Sequence, residues 1–140
     1  MPSSDPHPPA ATPTDVKELV RRLIDEVLNG GDLAVLEELA TPQMALSARS
    51  WIEPFLASFS DVHMEIVQLV GEGDTVVGRF RCSGTHTGGW ADQQPTGRRF
   101  EAIDEVYFFT IADGLIAAAW GIEDTLARRQ QLGLLTQDAA

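Results

Sequence analysis

A 140-residue chain with a single cysteine, Cys82, has no internal disulfide to hold it and no multi-cysteine metal site to build around. Basic residues are scarce too: ten Lys and Arg stand against 21 Asp and Glu, for a formal net charge of −11. That balance repels polyanions, so neither nucleic acid nor an anionic membrane is expected as a partner. No apolar run approaches the ~18 residues of a membrane span. The first residues lack the apolar core of a signal peptide, which makes a cytoplasmic location the expectation. Three scattered histidines have no ligand spacing. The Gly-rich stretch from Gly84 to Gly89 has neither the Gly-Lys-Ser/Thr nor the strand-to-helix setting of a nucleotide loop. The expectation is therefore chemistry without a metal or cofactor.

What is present has the length for one domain with a buried core. Residues 1–14 hold five of the eight prolines and read as a disordered tail, followed by a folded domain over 15–134 and a short tail over 135–140. Asp15 and Glu18 suggest a capped start to an amphipathic helix carrying Leu19, Val20, Leu23, Ile24, Val27 and Leu28, ended by Asn29-Gly30-Gly31. Asp32 can cap a second, short helix with Leu33, Leu36 and Leu39 inward. Thr41-Pro42 breaks the chain. A third helix carries Trp51, Ile52, Phe55, Leu56 and Phe59 on one side. Pro54 favours a start near Ser50, since an interior proline removes a hydrogen bond, and a kink is the alternative. From Asp61 the period changes to two. Val62 to Val70 and Thr75 to Ser83 read as strands, a polar Gly-rich loop runs to about Gly97, and Asp124 to Leu132 forms a last short helix. The fold class is α+β, with helices packed on one face of a curved antiparallel sheet.

The longest hairpin lies between Arg98 and Ile122, turned by Asp113-Gly114. Alternation puts Ile103, Glu105, Tyr107 and Phe109 on one face, with Ala102, Asp104, Val106 and Phe108 on the other. In the returning strand Ala117, Ala119 and Gly121 share a face, opposite Ile116, Ala118, Trp120 and Ile122. A carboxylate and a phenol facing three very small residues suggest a pocket. A bulge that shifts the register would exchange Glu105 for Asp104 on the pocket face.

Several motifs together carry a resemblance. They are Asn-Gly-Gly-Asp after the first helix, Phe-Ser-Asp before the sheet, Gly-Thr-His-Thr-Gly followed by Pro-Thr-Gly-Arg-Arg, Asp-Gly-x-Ile, Trp120, and Gln131-Leu132-Gly133. From Val16 to Gly133 the chain resembles the SnoaL-like polyketide cyclases, members of the NTF2-like superfamily of cone-shaped α+β barrels. The resemblance implies a cyclase of polyketide-type intermediates in secondary metabolism, and a sheet-to-sheet homodimer. It also exposes departures. The family's acid/base aspartate falls on Gly121, its assisting histidine on Tyr107, a polar aromatic of the first helix on Leu28, and a polar residue of the third helix on Trp51. The Asp-His pair usual before the third helix is missing, so aldol-type closure is in question and a greasier pocket is expected.

Glu105 and Tyr107, roughly 6.5–7 Å apart along one strand, are the first candidates for acid/base work. A carboxylate partly stripped of water can exchange protons near neutral pH, and a phenol can donate to a developing oxyanion. Arg79 either points into the pocket toward Glu105 or Asp104, or stands solvated outside. Epoxide-opening members of the superfamily place an arginine between carboxylates. Asp124 matches a recurrent acid of the family and equally fits the N-cap of the last helix. His86, in the Gly-rich loop, can transfer protons or hold the loop. Trp51, Phe55 and Trp90 are suited to lining or covering a flat, hydrophobic small-molecule substrate, with Ala119 and Gly121 leaving it room.

Overall fold

The computed structural model describes residues 13–90 and 92–135. The tails expected at either end lie almost wholly outside the described residues. Helix α1 spans Pro13–Arg22 and continues as a wider π-helical segment, Leu23–Leu28. It starts ahead of the expected cap, so Asp15 falls within its first turn. Gly31, at φ 73°, turns the chain away in the left-handed region that glycine occupies without penalty. The Asn29 side chain then ties this end to the sheet, donating to the Met64 carbonyl at 2.9 Å and accepting from the Met64 N–H at 2.7 Å. A single 3-10 turn, Leu33–Val35, leads into α2, Leu36–Leu39. Asp32 precedes it through its backbone carbonyl rather than a side-chain cap.

Helix α3 runs over Pro42–Ser58, well ahead of the expected start at Ser50. Thr41-Pro42 is the beginning of the helix: the Thr41 hydroxyl accepts from the Met44 N–H, and Pro42 sits where no intrahelical donor is needed. Pro54 is therefore interior. The Ser58 hydroxyl lies 2.9 Å from the Pro54 carbonyl oxygen and 2.6 Å from that of Gly89, its single proton shared between the two, so the helix end is fastened to the following loop.

Four strands, β1 His63–Glu72, β2 Thr75–Thr85, β3 Arg99–Ala112 and β4 Leu115–Glu123, form one antiparallel sheet in sequential order. Helix α4, Thr125–Gln131, follows. Three irregularities bend the sheet, and two matter for the site. Between Cys82 and Gly84 the partner strand bulges, with Ala102 at φ 54°, so Phe100 and Ile103 both point into the core. At the other end Thr110 pairs with Ala118 but Ile111 with Ile116, leaving Ala117 unpaired. Ile116 is thereby buried on the inner face and not beside Trp120 as simple alternation predicts. The core lies between this inner face and α1–α3, with Ile24, Val27, Leu36, Leu39 and Ile52 meeting Val76, Phe80, Ile103 and Phe109. Among the described residues no helix is long and apolar enough to cross a membrane.

Candidate active site

Between its own bulge and the one in β4, β3 keeps the expected phase, and Glu105, Tyr107 and Phe109 face inward. Asp104 is on the outer face, where Arg79 approaches it at 3.1 Å and Arg81 at 3.7 Å, all with side chains about half exposed. The pocket roles foreseen for Asp104 and Arg79 are corrected by this register: alternation in β2 sends Val76, Phe80 and Cys82 inward and both arginines out. Asp124 likewise stands outside the pocket. Its carboxylate accepts from the Ala127 N–H at 3.0 Å as the N-cap of α4, and its own N–H donates to the Asp104 carbonyl.

That cap aims α4 so that Arg128, one turn on, enters the interior with only 1% exposure. Its guanidinium donates to Glu105 Oε2 at 2.7 Å and to Glu123 Oε1 at 2.6 Å. Glu105 and Glu123 are direct cross-strand partners, as are Tyr107 and Gly121 beside them. The Tyr107 hydroxyl donates to the second oxygen of Glu123 at 2.8 Å. The planar cation also packs against the rings of Phe100 (4.9 Å), Phe55 (5.5 Å) and Trp90 (5.9 Å). Neither Glu123 nor Arg128 stands out in the sequence. Continuing the alternation two residues past Gly121 reaches Glu123, whereas an arginine in a short, polar terminal helix carries no signal of burial.

The electrostatics follow from this burial. Loss of water, and then the charge of Glu123, push the Glu105 carboxyl up to about 7 despite the opposing pull of Arg128. Burial works against the Arg128 charge too, but the two carboxylates outweigh it and hold the guanidinium protonated. Burial, reinforced by the neighbouring carboxylates, raises the Tyr107 phenol, which stays a neutral O–H donor.

A cavity of about 380 Å³ opens above this array. Glu105, Glu123 and Tyr107 form its polar floor, while Leu28, Trp51, Phe55 and Trp90 supply apolar walls. A narrower apolar recess of about 40 Å³ shares Leu28, Trp51 and Tyr107 and reaches Ala119. The Trp51 and Tyr107 rings are nearly parallel, 9° apart in plane and 6.3 Å between centroids. Gly121 does not leave empty space: a Cβ there would overlap the Tyr107 ring, which lies flat against the strand. His86 stands off the cavity. It is fully buried against Phe59, and its Nδ1 accepts from the Thr96 N–H at 3.1 Å, fixing the loop that carries Trp90. Burial lowers its pKa, as befits a neutral ring.

Residues 18–132 match the family model described as SnoaL-like polyketide cyclase. The chain is 29% identical over 119 residues to the aklanonic acid methyl ester cyclase DnrD of Streptomyces peucetius, covering 85% of this chain and 78% of that protein. It is 29% identical, again over 119 residues, to the aklanonic acid methyl ester cyclase DauD of Streptomyces sp. (strain C5), at 85% and 70% coverage. Among solved structures, TsrD from Streptomyces laurentii superposes with a TM-score of 0.82 at 28% identity, covering 89% of this chain and 98% of that one. IdmH from Streptomyces antibioticus gives 0.71 at 26% identity, with 84% and 98% covered.

Proposed function

The chain belongs to the SnoaL-like polyketide cyclases, and from that premise we propose that it closes a ring in a bulky, apolar polyketide-type intermediate of secondary metabolism, without a cofactor. One observation carries the reading: a cavity large enough for a small polycyclic molecule, apolar in its walls, has Glu105 and Tyr107 together on its floor. A polar ring closure that isomerises its substrate needs a proton removed at one atom and returned at another. A carboxyl raised to about 7 is matched to that exchange. A neutral phenol can stabilise the oxyanion that develops.

Gly121 and Tyr107, which the resemblance aligns with the family's aspartate and histidine, are directly opposed across the hairpin. The next pair along the same face is Glu105 with Glu123. This supports an acid/base centre displaced by one cross-strand step, and with it a changed closure such as an ether ring formed on an epoxide, or a cycloaddition governed by shape. Holding a flexible chain in its reactive fold contributes several kcal/mol in either case. Loss of the gene in its host is expected to accumulate an uncyclised isomer of the same mass as the normal product. Full turnover by Tyr107→Phe and Glu105→Gln would remove the acid/base part.

A hydrolase or dehydratase is the second reading, favoured by one feature: Arg128 bridges two carboxylates. The apolar walls count against it, and accumulation of a species differing by one water would establish it. As partner we propose a second copy, docked through the outer sheet face, where Phe108, Trp120 and Ile122 are exposed. A sedimentation measurement on wild type and Trp120→Glu tests this, with a dimer and a monomer expected respectively.

A further inference from the structure

The floor of the cavity holds two carboxylates but one guanidinium. With all three ionised, this end of the protein carries an unbalanced negative charge where Glu105 is 3% and Arg128 1% exposed. One proton on the pair restores neutrality. The two glutamates are not equivalent. Glu123 is 34% exposed and accepts from both the Arg128 guanidinium and the Tyr107 hydroxyl. Glu105 accepts from Arg128 alone among the described hydrogen bonds. It lies close to the Tyr107 hydroxyl too. A phenol has one proton, and Tyr107 gives it to Glu123. Glu105, the deeper of the two and with Arg128 as its one described donor, is the less well stabilised as an anion.

We infer that Glu123 is a second catalytic carboxylate, the base of the ring closure, while Glu105 keeps the one proton of the pair and is the acid. The inference rests on the ring-closing function proposed above. Glu123 takes the proton from the nucleophilic C–H or O–H of the bound substrate. The electron pair left behind forms the new ring bond to the electrophilic carbon. As the carbonyl π bond or the epoxide C–O bond breaks, its electron pair moves to oxygen, and that oxygen takes the proton of Glu105. The product is an isomer of the substrate. Tyr107 then accepts the proton from Glu123 while passing its own to Glu105, which restores the starting state with no external reagent.

Every element packed around the pair fits this assignment. From α4 comes the only cation among the described residues that bonds to either carboxylate, Arg128. From β3 comes Tyr107, kept neutral by burial. From β2 comes the Cys82 thiol, also pushed up by burial and so uncharged. The raised Glu105 carboxyl, up to about 7, agrees with a proton held there.

Infrared difference spectroscopy on wild type, Glu105→Gln and Glu123→Gln tests the assignment without substrate. A protonated-carboxyl band is expected in the wild type at neutral pH and is expected to vanish in Glu105→Gln. In Glu123→Gln it should move to lower pH, because Arg128 then has Glu105 to itself. Turnover of Glu123→Gln is expected to fall by about 10²–10⁴-fold with the fold retained by circular dichroism. A wild type lacking the band, a band that survives Glu105→Gln, or full turnover in Glu123→Gln overturns the assignment. A band that behaves as expected, in a protein that isomerises no polyketide, upholds the proton placement and overturns the ring closure.

Discussion

Replacing Gly121 by alanine should be far costlier than a methyl group suggests. The new Cβ would occupy space held by the Tyr107 ring, where carbon atoms prefer about 3.5–4.0 Å. The ring cannot easily lift away, because Trp51, Phe80 and Phe109 surround it at 6.1 to 6.3 Å between centroids. Overpacking of this kind costs about 1–3 kcal/mol. Displacing the ring also breaks the phenol–carboxylate bond to Glu123, which contributes about 1.5–3 kcal/mol with a charged acceptor. Alanine returns about 0.4–1 kcal/mol by restricting the unfolded chain. The net loss is about 3 kcal/mol, or roughly 10 °C in Tm for a domain of this size. Urea denaturation of Gly121→Ala, Tyr107→Ala and the double variant measures it. The double variant should be little worse than Tyr107→Ala alone, a coupling of about 1–3 kcal/mol. A stable Gly121→Ala, or strictly additive losses, would refute the reasoning.

Glu105 should make stability fall as pH rises. Its carboxyl is raised from an ordinary 4.5 to about 7, so between those values the folded chain holds a proton that the unfolded chain has released. The stability present below pH 4.5 then declines by about 3 kcal/mol on reaching neutral pH, and denaturation across this window should show a flatter profile for Glu105→Gln. Replacing Arg128 by methionine should cost about 3–5 kcal/mol, since the buried Glu105 and the half-buried Glu123 lose their cation. Most of that should return when Glu105→Gln and Glu123→Gln are added, as measured by chemical denaturation. On the outer face, Arg79→Ala and Asp104→Asn should change stability by less than about 1 kcal/mol and leave turnover unaltered. A collapse of turnover in Asp104→Asn would contradict the register of β3.

The order of elements and the inward phase of Glu105, Tyr107 and Phe109 were legible because local pattern alone sets them: period-two alternation and a single Asp-Gly turn. Trp51, Phe55 and Trp90 also converge on one cavity, as their apolar size and placement suggest, together with Leu28, which only the resemblance singles out. Reading failed where a residue has two local meanings. Thr41-Pro42 looks like a break and is a capped helix start, and Pro54 is tolerated inside α3. Simple alternation puts Ile116 on the wrong face, since nothing in Ala-Ala-Ala marks a bulge. The bonds of Arg128 were beyond local reading altogether. They depend on the packing of α4 against a strand more than twenty residues earlier, a relation that no local pattern encodes.

The two bulges flanking the site make the hairpin a device with a fixed phase. Between the paired Ile103 and the unpaired Ala117, odd-numbered residues on both strands look inward; beyond each bulge the count slips by one and even-numbered Phe100 and Ile116 take over. Length changes in the surrounding loops leave that count untouched. Deleting Ala117 would only remove the bulge, leaving Ile116 inward and Ala118, Trp120 and Ile122 outward by plain alternation; one added residue beside it would require a wider bulge or turn Trp120 and Ile122 inward, with an indole driven into the seat of Tyr107. The protein can drift in its loops, and can lose this one alanine, while a single residue added between Ile116 and Gly121 would rewrite every letter downstream.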